Sequence, residues 1–470
     1  MKKTKTSTPN SNKLSGRIWF NLCLFGFIGQ VAWNLENMYY NTFMYNTVYE
    51  GGAVTGTLSS MDAITLMVNL SAIVAVLTTF IMGNLSDKMN KRKVFISVGY
   101  LIWGVITAAF GFLTKDNISG IFGITEPALI VTATAVSIVV MDCIMTFVGS
   151  TSNDSAFNAW VTDVTTPKNR ATAESILAIL PIAATIIVTV SGGFIEPLGG
   201  GDIKKGYTYY FLGLGALVIL CGIIGLFSLK DSRSGEKKVN ANYWKDLVYG
   251  FRPSVVKENS KLYIALSAVG IYSIAVQIFF PFLLIYLDHG LGFKIEALFG
   301  YITTPVLIAA PFVLVAVVLG VIGIGKFADK FGKKNLVFIA AGLFVVGLIA
   351  ASFAKTMGPF GIAAIPLLAG YGLLGILLNS TVRDYTPEDK TGLFQGIRMV
   401  FFVLIPMLLG PQIGKWVCQI AGTGSYVDQS TGLTQAEPCA EMFLAAGIVA
   451  VLVFIPLAIL RKKGIDKVED

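Results

Sequence analysis

About twelve apolar stretches, each long enough to cross a bilayer, divide this 470-residue chain. They lie near residues 18–46, 59–83, 94–114, 128–157, 172–195, 207–229, 261–288, 300–324, 335–354, 360–381, 394–420 and 441–460. A helix needs about 20 mostly apolar residues to span the hydrocarbon core. Inside that core every backbone N–H and C=O must be paired internally, which leaves only helices or a closed barrel. A barrel would show strands of about 10 residues with alternating polarity, and no such alternation runs through the chain. Only 14% of residues are charged and 54% are hydrophobic, too few charges to cover a water-exposed surface. The 49 glycines, and prolines within spans at Pro181, Pro281, Pro311, Pro366, Pro406 and Pro456, fit close-packed, kinked membrane helices.

One short charged pattern occurs twice, 242 positions apart. The first copy runs from Gly83 through Asp87, Lys88, Asn90, Lys91 and Arg92 to Lys93. The second runs from Gly325 through Asp329, Lys330 and Gly332 to Lys334. Each follows a long apolar span and reads as a turn-forming connection. A repeat at half the chain length implies two halves on one plan. The expected fold is an all-α integral membrane protein of twelve transmembrane helices in two pseudo-symmetric six-helix bundles. The expected divisions are a tail at 1–17, a first bundle at 18–229, a central loop at 230–260, a second bundle at 261–460 and a tail at 461–470. In the central loop, Trp244, Leu247, Val248 and Phe251 share one helical face and suggest an amphipathic surface segment.

Charge sets the orientation. With a cytoplasmic N-terminus, thirty of the 36 Lys and Arg fall on the cytoplasmic side. The other face keeps Lys115, Lys204, Lys205, Lys294, Lys355 and Lys415. Both termini are then cytoplasmic, and the net charge of +8 is explained without a nucleic-acid partner. The first span is too long, and lacks a cleavage site, for a removable signal peptide. Multi-pass residence in a cell membrane is expected, the bacterial inner membrane from codon-independent hints such as Lys- and Asn-rich usage with short tails. Cys23, Cys143 and Cys221 lie in apolar spans without ligand spacing, while Cys418 and Cys439 flank the connection between the last two spans, where pairing is left open.

In the repeated pattern an acid stands among cations at the end of a span. Gly83, Asp87, Lys88 and Arg92, with Gly325, Asp329, Lys330 and Gly332, are therefore expected to form a gating latch, an ion pair to a neighbouring helix end that depends on conformation. The bland alternative is a topology signal alone. The pattern resembles G-x-L-x-D-R/K-x-G-R/K-R/K, the signature between helices 2 and 3 of the major facilitator superfamily, with its echo between helices 8 and 9. Asn90 replaces the usual glycine, and Asn also tolerates the turn. Asn153 to Phe157, Asp163 to Arg170, and Arg383 through Arg398 are similar to the glycoside-pentoside-hexuronide symporters. Gly29, Ala32 and Glu36 are similar to the sucrose:proton symporter branch. The resemblance implies a sugar-binding carboxylate at Asp154. It also implies that sodium-site carboxylates would fall near Ala75 and Thr79, where this chain has none, which favours protons.

Charged side chains inside a membrane are costly and usually functional. The candidates are Glu36, Asp62, Asp142 and Asp154. Asp62 follows Ser59 and Ser60 and reads as a helix cap. Glu36, Asp142 and Asp154 are the expected proton-coupling groups. Gln30, Asn34, Asn37 and Asn41 recur at helical spacing on one face, with Tyr40 beside it. Ser150, Asn153, Asp154, Phe157 and Asn158 form a second polar face, and Gln277 is the best match in the second half. Amides, carboxylates and rings around a cavity suit a polyol or sugar; interhelical glue is the structural alternative. Gln30, Asn34, Asn37, Asn41, Asn153, Asp154, Asn158 and Gln277 are the expected substrate contacts. Arg398 is assigned to a cytoplasmic network with Asp384 or Glu388, and the sole histidine, His289, to the interface.

The chain lacks G-x-x-x-x-G-K-S/T, H-E-x-x-H and G-x-S-x-G, so ATP-driven pumping, a zinc site and a hydrolase elbow are not expected. No cofactor or metal is expected, and the protein should be a monomer and not an enzyme. The expected function is proton-coupled symport of a sugar or glycoside by alternating access. The alternatives are a superfamily exporter of lipophilic or cationic compounds and a non-transporting sensor on a transporter-like body.

Overall fold

A computed structural model describes residues 14–54, 56–89, 91–165, 167–231, 250–293, 333–387, 391–421, 425–427 and 434–463. Among these, eleven helices are long and apolar enough to cross a membrane. We label them α1 (Gly16–Val48), α2 (Ser60–Met89), α3 (Arg92–Phe110), α4 (Pro127–Val164), α5 (Pro167–Ser191), α6 (Ile203–Ser228), α7 (Ser260–Gly290), α8 (Asn335–Ser352), α9 (Met357–Asp384), α10 (Gly396–Ala421) and α11 (Glu441–Lys463). The expected span at 300–324 lies outside the described residues, as do Gly325, Asp329, Lys330 and Gly332 and the central-loop residues Trp244, Leu247 and Val248.

Helices α1 to α6 pack together, and α7 to α11 pack together, giving two bundles. Within the first, α3 lies tightly on α6 because both carry glycine at the crossing. A Cβ on Gly104 would lie 2.7 Å from the Ile219 backbone nitrogen, and one on Gly215 would lie 2.8 Å from that of Ala108. Small residues of this kind let membrane helices approach backbone to backbone. The bundles meet where α1 touches α7 and where α2 touches α10.

Side chains tie the helix ends on one face. Arg17 donates to the carbonyls of Ser228 (Nε, 2.5 Å) and Phe227 (Nη2, 2.7 Å), so α1 starts where α6 ends. Lys463 Nζ donates to Ser260 Oγ at 3.0 Å, so α11 ends where α7 starts. Both ends of the described chain therefore lie on this terminal face. Large apolar side chains point outward: Phe227 is 78% exposed and Ile362 is 73% exposed. Such a belt is unfavourable in water and matches lipid.

Two local features depart from expectation. The first motif copy is not a turn: α2 continues unbroken from Ser60 to Met89, placing Gly83 and Asp87 inside the helix. No breaker precedes Asn90, so the i to i−4 ladder simply runs on. There Gly83 faces α4, a Cβ on it lying 3.6 Å from Ser155 Oγ. α4 likewise runs on to Val164, past the expected end at 157, through an eight-residue π-helical stretch, Ser150–Phe157. The all-α membrane fold is as expected; a short antiparallel hairpin, Ser425–Val427 with Thr434–Ala436, lies in the connection before α11.

Candidate substrate and coupling site

The polar face of α1 is built by the helix on itself. Asn34, Asn37 and Asn41 each donate Nδ2 to the carbonyl four residues back, on Gln30 (2.8 Å), Trp33 (2.7 Å) and Asn37 (2.9 Å). Their amide oxygens remain for other partners. Asn34 Oδ1 accepts from Thr185 Oγ1 of α5 at 2.7 Å. Asn41 Oδ1 is buried without a hydrogen-bond partner. Two π-turns, Glu36–Tyr40 and Met44–Val48, interrupt α1 beside these residues. π-turns rotate the following side chains relative to a regular helix and recur at functional sites. Tyr40 locks the first of them in place, stacked on Phe110 with ring centroids 3.7 Å apart and edge-on to Phe211.

Glu36 sits at the start of that π-turn and is 6% exposed. Its Oε1 accepts from Ser71 Oγ of α2 at 2.6 Å and from Thr146 Oγ1 of α4 at 3.0 Å, and the two hydroxyls are 2.8 Å apart. Its Oε2 is buried without a partner. Asp142, 1% exposed, lies one turn before Thr146; its carboxyl interacts with Ser71 and with Glu36, and its Oδ1 has no partner. Asp154 accepts from Ser150 Oγ at 2.9 Å and interacts electrostatically with Glu36. Helix α4 thus carries Asp142, Thr146, Ser150 and Asp154 at successive four-residue steps, with Glu36 of α1 docked on the ladder. Asp142 and Asp154 flank Glu36 along the ladder, and the unpaired buried oxygens of Glu36 and Asp142 are a costly arrangement in a membrane interior.

Asn153 and Asn158, expected beside Asp154, serve differently. Asn153 accepts from Trp33 Nε1 at 3.4 Å and donates to Tyr100 Oη at 2.7 Å, while Tyr100 donates to the Phe25 carbonyl at 2.7 Å. That chain fastens α1, α3 and α4 together. Asn158 is exposed and donates to the Asp154 carbonyl at 3.0 Å. Gln277 on α7 has a buried, unpartnered Oε1, and packs against Gly410 of α10.

On the terminal face Arg92, mostly buried, donates from Nε to Asp163 Oδ2 at 3.2 Å and from Nη1 to Ser86 Oγ at 2.5 Å. This clamps the ends of α2, α3 and α4 within one bundle. The side chains of Asp87 and Lys88 lie outside the described residues. Arg398 donates to Asn379 Oδ1 at 3.0 Å and covers Phe402 at 4.8 Å; Glu388 is not among the described residues.

The opposite face carries links between the bundles that the sequence did not suggest. Lys415 Nζ of α10 pairs with Asp62 Oδ1 of α2 at 2.9 Å. Asp62 is not the helix cap itself. Ser59 is, accepting from the Asp62 amide at 3.1 Å while donating to Asp62 Oδ2 at 2.6 Å. His289 Nε2 lies 2.9 Å from Asn46 Oδ1, and Tyr45 Oη donates to Glu437 Oε1 at 3.2 Å. His289 is therefore an inter-bundle contact.

A family model described as the Major Facilitator Superfamily matches residues 37–411. The chain belongs to the major facilitator superfamily. Its described helices form two bundles. Multidrug resistance protein 2 of Bacillus subtilis (strain 168) is 24% identical over 299 residues, 62% of this chain and 63% of that protein. A D-xylose transporter of Levilactobacillus brevis is 30% identical over 80 residues, covering 17% of this chain and 18% of that one. The alignments thus span less than two thirds of either curated relative. A crystal structure of a D-xylose-proton symporter superposes with a TM-score of 0.64 at 13% identity, covering 93% of this chain and 97% of that one, which shows the shared fold.

Proposed function

We propose that this superfamily member is a proton-coupled symporter of a sugar or similar polyhydroxylated solute, working by alternating access from the plasma membrane with both termini cytoplasmic. The observation that carries this reading is the acid ladder: Glu36 of α1 docks on α4 between Asp142 and Asp154, beside a row of amides. Glu36 carries the proton. Its two hydroxyl donors hold one oxygen while the other stays free, so gain or loss of a proton changes the bonding of three helices at once. Asp154, half-buried near the terminal-face end of the ladder, binds substrate hydroxyls or shares the proton. Gln30, Asn34, Asn37, Asn41 and Gln277 offer the amide contacts, with the substrate near the midplane between the bundles. The resemblance implies sodium-site carboxylates near Ala75 and Thr79, where this chain has none, which supports protons over sodium.

The B. subtilis relative supports a second reading, export of lipophilic or cationic compounds through the same acids. Competition separates the two. In proteoliposomes, sugars should displace the bound solute and hydrophobic cations should not; the reverse pattern would replace symport with export.

A further inference from the structure

Cys418 near the end of α10 and Cys439 just before α11 are both fully shielded, at 0% and 4% exposure, and their sulfur atoms lie 2.9 Å apart as free thiols. Between them lies the hairpin of 425–427 with 434–436. Glu437, two residues before Cys439, is held by Tyr45 of the first bundle. The two cysteines therefore sit at the root of a strap that grips the other bundle. By helix parity this face is opposite the termini, the side on which the sequence leaves only six of 36 cations. An extracytoplasmic face is where disulfides form and persist.

We propose that Cys418 and Cys439 form a disulfide that fixes the root of this strap. The oxidant is a disulfide-bearing thiol oxidoreductase of the extracytoplasmic compartment. One cysteine thiolate attacks a sulfur of the oxidant's disulfide and expels a thiolate. The second cysteine thiolate then attacks the mixed disulfide and releases the oxidant as a dithiol. The two cysteines lose two electrons and two protons, and the oxidant gains them. Because both sulfurs are covered in the folded protein, the exchange occurs during insertion, before the strap closes, and the finished bond is sheltered from reductants.

Cys23, Cys143 and Cys221 lie elsewhere in α1, α4 and α6 and provide an internal count. Full-length protein made in a host with an oxidising extracytoplasmic compartment would be quenched in acid, unfolded in detergent and treated with a maleimide polymer. Three additions before reduction and five after it are expected, with a peptide pair joining positions 418 and 439 that disappears on reduction. The single variants Cys418→Ser and Cys439→Ser should each show four additions with or without reductant. Five additions to the unreduced wild-type protein, or a cross-linked peptide involving other cysteines, would overturn the proposal. A wild-type count needs no variant to fold.

Discussion

Removing the charge of Lys415 should open the face opposite the termini. Lys415 and Asp62 join α10 to α2 at 2.9 Å, with side chains 14% and 34% exposed. Direct attraction at that distance and an effective dielectric of about 20 is about 6 kcal/mol. Desolvation and side-chain ordering offset most of it. With one partner a third exposed, the net value belongs at the upper end of the range for surface pairs, about 1 kcal/mol. The pair can exist only while the two helix ends touch, so its loss changes the closed-to-open equilibrium by the same amount. That is a factor of about 5 in favour of the open state. Spin labels at positions 198 and 353, at the far ends of the two bundles, would report the distance distribution in nanodiscs. Lys415→Met and Asp62→Asn should each raise the long-distance population about fivefold, and the double variant should add little to either single one. High salt should narrow the difference for the wild-type protein. Strict additivity of the two variants, or a shift towards shorter distances, would refute the latch.

Other outcomes follow from the same geometry. Glu36→Gln should keep solute counterflow while losing accumulation driven by a proton gradient; retained accumulation with wild-type pH dependence would remove Glu36 from the coupling role. Asn153→Ala should lower thermal stability in detergent by about 1–3 kcal/mol, because Trp33 and Tyr100 lose a buried partner, and should leave substrate affinity nearly intact; a selective loss of affinity would place Asn153 in the binding site instead. Asp202 caps α6, and hydrogen bonds from the Lys205 and Lys204 amides hold its carboxyl below the usual carboxylate range. A lowered folded-state value adds stability above the ordinary pKa of about 4 and loses it as acid protonates the group. Asp202→Asn should therefore flatten the acid limb of the stability curve, and an unchanged limb would contradict the cap.

The membrane fold was legible because hydrophobic run length and backbone pairing leave few choices. The asparagine face of α1 was legible too, since its spacing is purely helical. The ladder Asp142, Thr146, Ser150, Asp154 was equally regular, yet Thr146 did not stand out, because hydroxyls in membrane helices commonly bond their own backbone. The long reach of α2 through Gly83 was misread because glycine and charge suggest a turn, whereas the helix needed only the absence of a breaker before Asn90. The Asp62–Lys415 and Tyr45–Glu437 links join residues more than 350 positions apart, and no local pattern encodes them. The π-turns at Glu36 and Ser150 likewise leave no residue signature, since any helix former accepts them.

Proton movement during uptake tests the central claim most directly. Purified protein in proteoliposomes would be given a panel of mono- and disaccharides while the external pH is followed. Symport predicts external alkalinisation with at least one sugar, abolished by Glu36→Gln and absent from empty vesicles. Net sugar uptake without any pH change would contradict proton coupling, and silence across the panel alongside exchange of another solute would contradict the sugar assignment.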